Sequence, residues 1–282
     1  MYDIVKLMRL IMRYLIINAD DFGMSQEINS GIIQAWKNGL ITSASIMPTE
    51  PGYPDAIKQY QTLSKGFPIG VHLSLSGGKP SSNLANSSFS NNNQFTINEF
   101  NMKIISKIQP HELEIEFEAQ IEKVLQDNLN PTHLDNHMFF IYLNPYCFEK
   151  VIHLAAKYNL PLRWPFTIGQ NDLLADFQKN LNLDPSLVKE LLMLYNELKN
   201  KYKIKTTNNY FQLPHRGNFE EKKSAFTKII QNFSNGISEL CVHPGFGSEN
   251  RENELKILNN EQIRQMIQDE SIKLCNYRIL EN

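Results

Sequence analysis

Short apolar runs alternate along this chain with segments whose apolar positions recur every three or four residues. The first pattern marks buried strands, the second helices with one inward face. Residues 14–19 read as a buried strand. Ser25 can cap the helix that follows, in which Ile28, Ile32, Ile33 and Trp36 share a face and Gly39 marks the end. The pattern then predicts a strand at 41–47, a helix at 53–63 and a strand at 69–75. Residues 111–128 form an amphipathic helix, with Leu113, Phe117, Ile121, Val124 and Leu125 inward and a glutamate-rich face toward water. A short strand at 132–135, a helix at 145–158 and a strand at 160–165 come next. Helices at 185–202 and 219–233, a strand at 239–243, a helix at 261–269 and a last strand at 272–279 complete the pattern.

This alternation is the signature of an α/β protein with parallel strands and helices outside them. About seven units over this length predict a (β/α) barrel, distorted or incomplete. A doubly wound open sheet is the alternative, but no GxGxxG follows the first strand. With no linker-like stretch and no fixed-period repeat, one catalytic domain is expected over 13–282. Residues 1–12 carry basic positions among apolar ones without a small-residue cleavage site, and read as an extension before that domain. Residues 76–98 break the alternation. They are rich in Ser, Asn and Gly and follow a strand end, which suits either a surface loop or a lid over a barrel mouth.

Composition narrows the function classes. The 282 residues carry a net charge of -2 and no block of Lys and Arg, so no nucleic-acid partner is expected. The longest apolar run, 138–143, is far below the roughly 20 residues of a spanning helix, so no membrane partner is expected either. Three scattered cysteines without a CxxC pair fit a reducing compartment, and a cytoplasmic location is expected.

Metal-ligand residue types recur at the ends of the predicted strands. Asp20 and Asp21 close the first, His72 lies in the third, and His133, Asp135 and His137 surround the fourth. Arg163 falls in the fifth and His243 closes the seventh, before Pro244 and Gly245. In a barrel, strand C-termini converge on one mouth, so residues far apart in sequence can meet there. Each residue taken singly has a plainer reading as a cap, a turn or a satisfied core histidine. The HxDxH spacing is sharper, because alternate strand positions face one side and an apolar core rarely tolerates three such groups. Two histidines and a carboxylate make a three-ligand site for a divalent metal. A second carboxylate can take a proton from water, and a further histidine can give one to a leaving group. That set suits hydrolysis of an amide or ester.

The segments IINADDFGMS at 16–25, GIIQAWKNGLITSAS at 31–45, IGVHLSL at 69–75, NPTHLDNH at 130–137, LPLR at 160–163 and ELCVHPGF at 239–246 occur in an order that resembles the YdjC-like carbohydrate deacetylases, the family of the chitooligosaccharide deacetylases. The resemblance implies a distorted (β/α) barrel and a metal-dependent hydrolase that removes acetyl groups from N-acetylated sugars such as chitobiose. It implies Asp20 as general base, Asp21, His72 and His137 as ligands of one divalent metal (magnesium or zinc), and His243 as general acid. Arg163 then orients Asp20 or binds substrate, His133 and Asp135 support the ligands, and Trp164 lies near the mouth. A homodimer is plausible from the family alone. One departure stands out: Met138, Phe139, Phe140, Ile141 and Tyr142 follow the last metal histidine, where the family pattern leads one to expect more histidines. These side chains either stack on sugar rings or fill the core. Alternative readings are a hydrolase of another amide or ester, and a sugar-binding protein that has lost turnover.

Overall fold

A computed structural model describes residues 12–63, 66–97, 106–166, 184–232 and 234–281. Its frame is a parallel sheet. Strand β1 (Arg13–Phe22) is flanked by β2 (Ser43–Ile46) and β8 (Gly236–Val242); β3 (Ile69–Leu73) and β6 (Leu134–Asn136) lie beyond β2, and β7 (Asn209–Gln212) beyond β8. The short β9 (Lys273–Leu274) pairs with the start of β1, and a small hairpin, β4 (Ser90–Asn91) with β5 (Gln94–Phe95), stands apart. Helices α1 (Gln26–Lys37), α2 (Tyr53–Thr62), α3 (Pro110–Gln126), α4 (Pro145–Lys157), α5 (Pro185–Lys201), α6 (Phe219–Asn232), α7 (Glu249–Leu258) and α8 (Glu261–Asp269) connect them. Covered on both faces, β1 and β8 are buried almost throughout, which is why they read as unbroken apolar runs rather than alternating ones.

Between β6 and β7 the ring of strands is completed by a segment that is not a strand. Leu162 makes a single bridge to Leu134, and its N–H donates to Lys205 O at 3.0 Å. The fold is therefore a distorted (β/α) barrel, as the pattern predicts. The strand expected at 160–165 is reduced to this bridge, because Pro161 and Pro165 remove two ladder donors. The last predicted strand shrinks to β9 followed by a 3-10 turn, Tyr277–Leu280. Strand β7 and helix α7 appear where the pattern predicts nothing.

Residues 76–97 are held down on α3. Backbone N–H groups of Ser81 and Ser82 donate to Glu116 at 2.8 and 2.9 Å, Ser88 N–H donates to Glu112 at 2.8 Å, and Phe89 is fully buried. The aromatic run after His137 folds as a 3-10 turn, Phe139–Leu143, whose Phe140, Ile141 and Tyr142 are buried. Of the two readings of that run, core filling is the one observed for these three. Trp164 is also in the core, 4% exposed and packed against Phe148 and Phe166. The expected extension lies outside the described residues except for Met12, whose carbonyl accepts from Gly236 N–H. Among the described residues no helix is long and apolar enough to cross a membrane.

Candidate active site

The end of β1 carries the first device. Pairing with β2 runs Ala19 to Ala44 and then Phe22 to Ile46, so β1 gains one residue over its partner. This bulge breaks the strict alternation of side chains. Asp21 sits at its centre in the left-handed region, φ 73°. Asp is among the few residues that tolerate this conformation. Two consecutive carboxylates can thus reach one point: His72 Nε2 lies 3.7 Å from Asp20 Oδ2 and 3.5 Å from Asp21 Oδ1. The turn is tied down by Asn29, which accepts from Gly23 N–H at 2.6 Å and donates to Gly52 O at 3.0 Å.

His72 and His137 complete a triangle with Asp21. His137 Nδ1 is 3.0 Å from Asp21 Oδ1 and 3.3 Å from His72 Nε2. Despite that proximity, Asp21 Oδ1 is buried without a properly directed hydrogen bond. The far nitrogen of His72, Nδ1, meets Asp135 Oδ1 at 2.9 Å, which favours a proton there and turns Nε2 inward. Two of the edges, 3.3 and 3.5 Å, fall in the range of about 3.3–3.6 Å that tetrahedral bonds of about 2.0–2.2 Å to one ion impose, and the third, 3.0 Å, is somewhat shorter. The groups Asp20–Cys241–His243 and Asp20–His72–Asp135 also place ligand atoms within 4.8 Å of one another. Their carboxylates, however, are engaged by Arg163.

Arg163 donates from Nη1 to Asp20 Oδ2 and from Nη2 to Asp20 Oδ1, both at 2.7 Å. It also lies 2.9 Å from Asp135 Oδ2, and its Nε donates to Glu239 Oε1 at 2.8 Å. Burial works against the Asp20 charge, but Arg163 and His72 outweigh it and hold the carboxyl well below its usual range. Asp21 is likewise held low against burial, by His137 first and then His72 and Arg251. Two groups hold protons more firmly than usual. Burial pushes Glu239 up to about 7. Burial lowers His72, but Asp135 and Asp20 more than reverse it, to about 10.

His133 and Asp135 stand behind the triangle. Asp135 accepts from Ser45 Oγ at 2.6 Å, and His133 Nε2 meets the same hydroxyl at 3.1 Å. The His133 ring stacks on Tyr277 at 3.7 Å, and burial drives it down to about 3. His243, at the end of β8, places Nε2 4.0 Å from Asp20 Oδ2, with its side chain 19% exposed.

Three contributors escape the sequence reading. Cys241 donates its thiol to Asp20 Oδ2 at 3.2 Å. His215, three residues past β7, brings its ring 5.7 Å from that of His243. Arg251, in α7, donates to Asp21 Oδ2 at 2.5 Å, opposite the oxygen that faces the histidines. The missing signal is the same for the last two: neither β7 nor α7 has a strong apolar period, so their residues have no assigned place.

The comparisons agree with this architecture. A carbohydrate deacetylase from Clostridium beijerinckii is 28% identical over 275 residues, covering 94% of this chain and 98% of the relative. One from Thermoanaerobacter pseudethanolicus is 28% identical over 279 residues, covering 95% and 100%. A crystal structure of an Enterococcus faecalis protein, named for cellobiose-phosphate cleavage, superposes with a TM-score of 0.75 at 24% identity, covering 95% of this chain and 99% of that one. A peptidoglycan N-acetylglucosamine deacetylase shares the fold at a TM-score of 0.51 and 8% identity, covering 96% and 89%. The family model described as YdjC-like protein matches residues 14–269, and with that match this chain belongs to the YdjC-like family.

Proposed function

We propose that this protein is a metal-dependent carbohydrate N-deacetylase. It hydrolyses the acetamide of an N-acetylated sugar, such as chitobiose or a short chitooligosaccharide, to acetate and the free amine, and residues 13–282 act as one catalytic unit. The observation that carries the reading is the convergence of Asp21 Oδ1, His72 Nε2 and His137 Nδ1 beside Asp20 and His243. The names of the relatives above support the sugar amide over other acyl groups.

Asp21, His72 and His137 would hold the metal. Two imidazoles and one carboxylate suit zinc better than magnesium, which prefers oxygen ligands. When bound, the ion would acidify water and polarise a carbonyl. Asp20 accepts the proton of the attacking water; Arg163 keeps it ionised and its two oxygens fixed. His243 gives a proton to the departing sugar nitrogen. His72 keeps Nε2 turned toward the site through its bond to Asp135.

The test is acetate release from diacetylchitobiose, with chelator and after single divalent metals are added back. Release that chelator abolishes and one metal restores is expected. Release indifferent to chelator overturns the metal's part, and no release with any metal overturns the substrate. Asp20→Asn is expected to keep the metal and to lose about 10²–10⁴ in turnover.

A further inference from the structure

Behind the HPG turn lies a buried ion pair that this mechanism does not use. Lys222 of α6 is 0% exposed and Glu254 of α7 is 1% exposed, with Nζ 2.6 Å from Oε1. Two charges so placed contribute little net stability, and apolar side chains of the same volume usually do as well or better. Their other bonds show what the pair accomplishes. Glu254 Oε2 accepts the backbone N–H of His243 at 2.5 Å. Lys222 Nζ donates to the carbonyl of Pro214 at 2.5 Å, one residue before His215. Glu254 thus spends one oxygen on the strand end that carries His243. Lys222 fixes the other oxygen and anchors the neighbouring strand end.

We propose that Lys222 and Glu254 are positioning residues for the proton donor: they fix the backbone at His243, and at Pro214 beside it, so that the two imidazoles stand 5.7 Å apart over the site. The proposal rests on the reading of His243 as the group that protonates the leaving nitrogen. Neither residue touches the metal ligands or Asp20, so the predicted defect is confined to the leaving-group side. A backbone N–H without its acceptor leaves the turn free to shift, and misplacement by about 1 Å costs on the order of 10²-fold in rate.

The experiment uses the double substitution Lys222→Met with Glu254→Met, which keeps volume and removes both charges. The unfolding midpoint is expected to fall only modestly, since the His243 N–H and the Pro214 carbonyl lose their partners, and metal content to stay unchanged. Turnover of diacetylchitobiose is expected to fall about 10²-fold with little change in KM. Hydrolysis of 4-nitrophenyl acetate, whose leaving group departs without a proton, is expected to be unaffected. Equal losses on both substrates, or loss of metal, would mean a merely structural role and overturn the proposal. So would wild-type turnover in the folded variant. Should that variant not fold, the isosteric Glu254→Gln leaves one of the two donors unmatched and is expected to show the same signature at smaller amplitude. An activity-independent reading is the NMR resonance of the His243 ring, assigned by its loss in His243→Asn. It is expected to move in either variant; an unmoved resonance overturns the proposal. This arm holds even if diacetylchitobiose proves not to be the substrate, a result that would sink the proposed function alone.

Discussion

Asp21 shows how much one residue carries. It is a ligand candidate and also the bulge residue with a left-handed backbone. The two roles separate by substitution. Asp21→Asn and Asp21→Ala are both expected to lose metal stoichiometry. Asn accepts positive φ, whereas Ala is expected to be less stable than Asn by about 1–2 kcal/mol in denaturant titration. His133 makes a pH prediction. Burial holds it neutral, with a folded pKa of about 3 against 6.5 in the unfolded chain. Between these values the unfolded chain binds the extra proton. The contribution is therefore complete above pH 6.5 and is lost as pH falls toward 3, at up to about 1.4 kcal/mol per pH unit. His133→Gln is expected to flatten the acid limb of the stability curve by one proton, read from denaturation midpoints over that range. At this scale the sequence was largely legible. Asp20, Asp21, His72, His137, Arg163 and His243 meet as the strand-end argument predicts, because parallel strands point their C-termini one way. Trp164 packs against Phe148 of α4, a neighbour in space that its neighbours in sequence do not reveal.

Helix α1 meets the turn after β8 backbone to backbone at Gly31. A methyl group on Gly31 would lie 2.5 Å from Gly245 Cα. Alanine is the better helix former by about 1 kcal/mol, yet here it must push the HPG backbone away. Gly31→Ala is expected to lower both the unfolding midpoint and the turnover number, without changing metal content; a rise in the midpoint would show that the turn yields freely. Helices with a clear apolar face were legible, and α3 and α4 end within about two residues of the predicted bounds. Helix α7 was not. Its sequence, ENRENELKIL, is mostly polar, and its Glu254 turns inward toward a buried lysine. Buried ion pairs erase the periodicity on which such reading depends. Strand β7 failed for a different reason: its four residues are too short to establish a period.

For the whole molecule, the centre of the sheet is also the centre of the site, since β1 contributes two carboxylates and lies between β2 and β8. Metal binding should therefore stabilise the entire fold rather than one loop. At metal concentrations about 100-fold above Kd the gain is about 2.7 kcal/mol, seen as a chelator-sensitive rise in the unfolding midpoint. No rise would mean that the triangle does not hold the ion. The distorted or incomplete barrel was legible from the alternation and the missing GxGxxG, whereas its closure by a segment that bridges without forming a strand was not, because a strand and a bridged segment look alike in sequence. That closure has a consequence for how the chain is made. Arg163 enters from the segment that completes the ring and binds carboxylates of β1, β6 and β8. Glu239 is the last of them to leave the ribosome, after two carboxylates and the guanidinium are already synthesised. Until then the arginine lacks one of its partners, and burying the incomplete set would be costly. The barrel is thus expected to assemble late and as a unit, and nascent chains ending before residue 239 should remain open to protease across β1, however apolar that strand is.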